Sequence, residues 1–428
     1  VIAVSDVVLT NARVFTGVDG EVIEGGAVWV SGRYVRAAGA AEVAAGAPAE
    51  VRRVDLGGRF VMPGMTESHA HLSYANNGPS EIDKASAEEA MLAAVDNARV
   101  VLGAGFTAAI SFGSVHRVDV TLRDAINRGA IPGPRLAAAG RDLGGTGSNI
   151  DSYDDRAGAQ PERLGLIADG PWAVRQAVRR IRKARADVVK IYLDGENLND
   201  KARAEELTYS DDEVNACVDE AHRRGLRVVC HARGADAVKQ AVRAGIDIIG
   251  HANYLDDEAV ELLRRDRHRV FVGPGIAWEI QFLANCESLG IPRAVARARG
   301  YEREVEETVK AVRRLREIGV RVLVGGDYGL NITPHGTNAK DLQYFVELFG
   351  MSPTEALLCA TRDGGAAFDP NGMVGTLEEG KFADLVVVDG DPSRDVTVLQ
   401  DHARIHTVMK DGVAYRGLTR SNPYRAEW

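Results

Sequence analysis

Six residues of this chain have the types and placement needed to hold a pair of divalent cations. They are His69 and His71 in ESHAHLSY (67–74), Lys190 in VVKIYLDGE (188–196), His231 in VVCHARG (228–234), His251 in IIGHANY (248–254) and Asp327 in VLVGGDYG (322–329). Imidazole and carboxylate suit zinc-like ions, and a cation with an open coordination position activates water at neutral pH. A hydrolase is the chemistry this set predicts.

Each member has its own argument. Side chains alternate along a strand, so His69 and His71 share a face and can meet one ion. Lys190 interrupts the apolar run ADVVKIYL, where an amine is costly. Burial lowers its pKa and leaves it nucleophilic, so it can take up carbon dioxide as a carbamate, an anionic ligand able to bridge two cations. His231 and His251 end successive strands around the helical segment GADAVKQAVRAG, which brings them side by side for a second ion. Asp327 follows VRVLVGG and can ligate a metal, take the proton of the attacking water and return it to the leaving group. Of the other histidines, His116, His222, His268, His402 and His406 read as ordinary.

The elements that must position these residues follow from hydrophobic patterning. Residues 7–54 read as short strands broken at Gly and Asn. After Gly64 the pattern becomes strand, loop and amphipathic helix, repeated, with strand ends near His71, Ser111, Ala139, Tyr192, His231, Ala252, Gly275 and Asp327. Strands alternating with helices predict a parallel (β/α)8 TIM barrel, whose active sites lie at the C-terminal strand ends. In SDDEVNACVDEAHRRG (210–225) Ser210 and Glu213 form a capping pair and Gly225 ends the helix. Segments 374–392 and 406–417 return to strands, and the early strands alone are too few to bury a face. The expected organisation is a composite β-sandwich from 1–62 and 371–428, the latter including a tail, with the catalytic barrel over 63–370 between them. The Ala- and Gly-rich stretch 37–50 reads as a loop.

A net charge of −9 argues against a nucleic-acid partner, and the basic run RRIRKAR (179–185) reads as a solvated helix face. The four cysteines lack CxxC spacing, which excludes a disulfide framework or a Cys-based zinc knuckle as the first reading. No apolar run approaches a membrane span and no leader pattern is visible. A cytoplasmic enzyme that avoids membranes and takes a small-molecule substrate is expected, with a leader removed ahead of Val1 left open.

With these motifs in place, the chain resembles the amidohydrolase superfamily, binuclear type with a carboxylated lysine, over nearly its whole length. The resemblance lies in VMPGMTESHAH, in Lys190, His231, His251 and Asp327 at their strands, and in VGTLEEGKFADLVVVDGDP. It implies two divalent ions, zinc foremost, with His69, His71 and Asp327 on the first and His231 and His251 on the second. Carboxylated Lys190 and a hydroxide would bridge them, and such barrels commonly form homo-oligomers. GPRLAAAGRDL, KIY, HARGADAV and PHGTNAKDL are similar to the imidazolonepropionase-related branch of Xaa-Pro dipeptidases, Arg/Lys carboxypeptidases and ochratoxinase-like enzymes. Departures are Glu67 for Asp, Arg233 for His, Gly250 for Glu, and no His after the paired glycines of GGTGSN (144–149).

The reading is therefore hydrolysis of the C–N amide bond of a small N-acyl amino acid, dipeptide-like or ochratoxin-type aryl amide. Arg233 could fork a substrate carboxylate or pair with Asp194 or Asp236, and Tyr192 and His335 could line the pocket or only pack. Alternatives are an ester, lactone, carbamate or urea hydrolase using the same site, a mononuclear deaminase, and a catalytically silent scaffold.

Overall fold

The computed structural model describes residues 6–151, 165–197 and 202–415; the expected tail beyond Tyr415 lies outside them. Strands Val7–Phe15, Val22–Ser31, Tyr34–Gly39, Arg52–Asp55 and Phe60–Pro63 join Leu385–Val388, Ile405–Lys410 and Val413–Tyr415 in one eight-stranded sheet. The two ends of the chain meet where Phe60–Pro63 runs antiparallel to Leu385–Val388, with Val61 opposite Val387. The sheet rolls over, because its edge strand at Val35 exchanges backbone hydrogen bonds with Gly380 and Lys381 just before the late strands. Alternating residues from both arms, among them Leu9, Val14, Val28, Val61, Leu385 and Met409, form the apolar layer enclosed by the roll.

Stretch 37–50 is not wholly loop. Glu42–Gly46 is a short helix, Val43 and Ala44 packing on Val8 and Ala27, since alanine carries the best helix propensity and here gains a surface to cover.

Between these arms lies the barrel. Among the described residues its parallel strands are Met65–Ala70, Phe106–Ser111, Arg135–Ala137, Val188–Tyr192, Arg227–Ala232, Ile248–His251, Phe271–Gly273 and Arg321–Val322. The third meets the fourth where Val188 N–H donates to the Ala138 carbonyl, 3.2 Å, and the eighth meets the first where Ser68 N–H donates to Val324, 3.0 Å. Short strands Asp142–Gly144 and Gly165–Ile167 extend the sheet beside the fourth barrel strand. Ile110, Ala137, Val188, Val229, Ile248, Phe271 and Leu323 pack together inside, one from each of strands two to eight or the residue continuing them. This layer sets the parity of everything above it.

The helices follow the sequence closely. Asp211–His222 starts at Ser210, whose N–H donates to Glu213 Oε2 at 2.8 Å, and Gly225 leaves with φ +69°. Ala235–Ala244 ends at left-handed Gly245. A network ties barrel to roll: Arg135 at the base of strand three bridges Asp384 (2.8 Å) and Asp411 (2.5 Å). No helix among the described residues is long and apolar enough to cross a membrane.

Candidate metal centre

Parity places most of the site. Two residues beyond the inward Val188 comes Lys190 and then Tyr192; beyond Val229 come His231 and Arg233; beyond Leu323 come Gly325 and Asp327; beyond Ile110 comes Phe112. His251 breaks the rule, because Ile248 and Gly250 are the inward pair of strand six. The backbone corrects it: His251 has φ +83° and Ala252 φ +54°, and this left-handed turn swings the imidazole into the barrel mouth. Asp327 also sits at φ +59°. Such strain on non-glycine residues persists only where surrounding structure enforces it.

The six residues converge. Asp327 Oδ1 lies 3.2 Å from His71 Nε2 and 3.5 Å from His69 Nε2, and ligand atoms of His69, His251 and Asp327 all fall within 4.8 Å of one another. The His231 and His251 rings are 4.4 Å apart, and His69 and His251 5.2 Å. Two ring orientations are fixed by backbone carbonyls: His71 Nδ1 faces Gly113 O at 3.3 Å, and His231 Nε2 faces Gly195 O at 3.0 Å. Those contacts hold the proton on Nδ1 of His71 and Nε2 of His231 and leave the lone pair on the other nitrogen of each ring.

Lys190 is fully buried, its Nζ 4.5 Å from the Phe112 ring centre and 4.7 Å from that of Tyr192. Burial outweighs Asp142 and Asp327 and lowers its pKa to about 8. Burial likewise pushes His69, His231 and His251 well below the ordinary imidazole value. It would raise Asp327, but His69, His71 and Lys190 overcome it and keep the carboxylate ionised. Among the described residues Lys190 Nζ, His69 Nδ1 and both nitrogens of His251 are buried without a hydrogen-bond partner. Each unpaired buried polar group costs about 1–3 kcal/mol, so neutral imidazoles and a free amine clustered this way fit missing electrophilic partners such as cations and carbon dioxide.

Further residues surround this set; of them the sequence reading singled out Glu67 and Gly250, as departures, and not Phe112, Tyr74, Asn338, Asp341 or Asp142. Phe112 stacks on His69 at 4.0 Å and Tyr74 on His71 at 4.5 Å. Glu67 Oε1 accepts from His69 N–H at 3.0 Å and Oε2 from Asn338 at 2.8 Å, so the departure at Glu67 is used as a brace. Asp341 accepts from Gly325 N–H at 3.0 Å. Gly250 is small for a reason: a Cβ there would lie 3.0 Å from Phe112 and 3.4 Å from His69. Asp142, buried on the short mouth strand, acts electrostatically on Lys190 and Tyr192. Its only sequence signal was an acid following the third strand.

The three expected substrate residues separate. Tyr192 stacks on His231 at 4.9 Å. His335 Nε2 faces the His71 carbonyl at 3.1 Å. Arg233 is 1% exposed, and its guanidinium meets neither Asp194 nor Asp236. It pairs with Glu304 at 2.6 Å, with Glu279 at 3.7 Å and Glu196 at 3.6 Å farther off. Asp194 instead accepts from the backbone N–H groups of Arg233 and Gly234. His116, His222 and His402 make contacts away from the centre, with Ala85, Asp247 and Gly336.

The family model described as "Amidohydrolase family" matches residues 60–414. The chain is 27% identical over 382 residues to an ochratoxinase of Aspergillus niger, covering 83% of this chain and 76% of that protein. A Xaa-Pro dipeptidase structure with bound methionine in its active site superposes with TM-score 0.83 at 28% identity, covering 96% of this chain and all of the other. A prolidase complexed with N-methylphosphonate-L-proline gives TM-score 0.86 at 25% identity over 96% and 100%.

Proposed function

The chain belongs to the amidohydrolase family, and from that premise we propose that it is a binuclear metal-dependent hydrolase of small amides: N-acyl amino acids, dipeptide-like compounds or aryl amides of the ochratoxin type. The observation that carries this reading is the grouping of His69, His251 and Asp327 at one barrel mouth, with His71 on Asp327, His231 beside His251, and a buried Lys190 Nζ without a hydrogen-bond partner. The relatives named for ochratoxin and for Xaa-Pro dipeptides support an amide joined to an amino acid.

His69, His71 and Asp327 would hold one divalent cation, zinc by ligand type, and His231 and His251 the other. Lys190 would bridge them as its carbamate: carbon dioxide adds to the neutral amine, an N–C bond forms and one proton leaves. When bound, the cations supply an activated water and a Lewis acid for the carbonyl. Asp327 takes the proton of the attacking water and passes it to the departing nitrogen, so the C–N bond breaks with a neutral amine leaving. Tyr192 lines the side of His231, His335 braces His71 through its carbonyl, and Arg233 acts from behind through the acids it gathers.

Elemental analysis of wild type and Lys190→Ala, beside a screen of N-acyl amino acids and dipeptides, tests this. About two metals per chain in wild type, falling in the variant together with turnover, is the expected result. One metal or none in both, with the fold intact, overturns the bridged centre.

A further inference from the structure

We infer that Glu196 is the charge-selecting residue of this site, receiving a cationic group of the substrate, an ammonium or a guanidinium. The inference rests on the amide-hydrolase reading above. Glu196 lies on the loop after strand four, pinned on both sides: the preceding Gly195 carbonyl faces His231 Nε2, and Asn197 Nδ2 donates to Glu304 Oε2 at 2.9 Å. The loop therefore holds Glu196 one peptide from a metal-centre histidine. Its charge acts on Tyr74 and Tyr192, the rings stacked on His71 and His231, and Asp327 acts on it in turn. The Gly195 contact with His231 and the 3.6 Å approach of Glu196 to Arg233, two residues past that histidine, place Glu196 beside the centre.

Three carboxylates share one guanidinium, and their exposures differ. Glu279 and Glu304 are sealed at 0% and 1%, whereas the Glu196 side chain is 21% open. Asn253 and Thr308 satisfy Glu279, with Asn253 Nδ2 2.6 Å and Thr308 Oγ1 2.9 Å from its oxygens. Burial, then Glu304, pushes the Glu279 carboxyl well up, and burial raises Glu196 to about 7 against the pull of Arg233, so the open carboxyl still has charge to gain from a second cation. Glu304 takes that guanidinium at 2.6 Å and leaves Glu196 at 3.6 Å, the edge of hydrogen-bond range. A second, independent sign is Tyr301. It is 1% exposed, its hydroxyl has no hydrogen-bond partner among the described residues, and Glu196 is the charge acting on it most strongly. A donor-rich cation between Glu196 and Tyr301 would complete both groups.

The test uses holoenzyme and amide pairs that differ only in charge. Lysine against norleucine and arginine against citrulline vary the released amino acid; a free against an acetylated α-amine varies the acyl side. Wild type is expected to favour the cationic member by about tenfold or more in kcat/KM, and Glu196→Gln and Glu196→Ala to lose that ratio. The pair that carries the preference identifies where the cation sits. An unchanged ratio in both variants, or no charge preference in wild type, overturns the proposal. Calorimetric binding of lysine against norleucine, and of alaninamide against N-acetylalaninamide, reads the same preference without turnover. Cation-dependent binding lost in Glu196→Gln with no amide cleaved by wild type would sink the hydrolase reading and leave Glu196 standing. Equal metal content in all proteins confirms that the variants are folded.

Discussion

The side-chain nitrogen of Lys190 lies 4.5 Å from the centre of the Phe112 ring, and the same ring stacks on His69 at 4.0 Å. One aromatic ring thus packs against both the amine and a centre histidine, and Lys190 is fully buried beside it. A buried amine is an uncharged amine over more of the physiological range.

Metal uptake should therefore depend on carbon dioxide. With Lys190 lowered to about 8, the neutral fraction that carbon dioxide attacks grows as pH rises through that value. Metal-stripped protein is expected to regain metal faster with dissolved carbon dioxide held at one fixed concentration than without it, and the difference to be larger at pH 8.5 than at pH 6.5. Reconstitution indifferent to carbon dioxide would argue that Lys190 stays an amine.

Asp327→Asn should lower kcat for an amide by about 10²–10⁴-fold, the usual size of a general acid–base contribution. An activated ester, whose leaving group needs no proton, should lose less. Equal losses on the two substrates would restrict Asp327 to metal binding.

Asp341 should make the metal-free protein less stable as pH rises. Burial pushes its carboxyl up to about 7 while it accepts from Gly325 N–H. An acid whose folded pKa is raised binds its proton more tightly folded than unfolded, where the value is near 3.9. Its stabilising share is full below that value and lost on the way to about 7. Asp341→Asn should flatten this slope, by at most on the order of 3–4 kcal/mol, in urea unfolding between pH 4.5 and 8. An identical slope in the variant would contradict the assignment.

Asp384→Ala should loosen the clasp between roll and barrel. The Arg135 and Asp384 side chains are 14% and 2% exposed, and the variant strands a charge that Asp411 only partly covers. Breaking such a pair costs about 3–5 kcal/mol, readable as a lowered denaturation midpoint. Loss below about 1 kcal/mol would show that Asp411 alone suffices.

Much of this was legible in the chain. Alternation with period two in ESHAHL, VVKIY, VVCHAR and the run into Asp327 determined which residues share the inner face. Capping at Ser210 and glycines at 225 and 245 determined where helices start and stop, because these effects are local. Other features needed the folded molecule. His251 is out of phase with its strand and reaches the centre only through a left-handed backbone that distant packing imposes. Glu304, more than seventy residues from Arg233, claims the guanidinium that Asp236, three residues on, or Asp194, 39 residues back, could have taken. Periodicity reports which way a side chain leaves its own strand, while its partner across the mouth is set by barrel closure and helix docking, which bring remote charges within a few ångströms. Sequence alone determined which residues are candidate ligands; the tertiary structure decided which charges stand behind them and that Glu196 is the one left open.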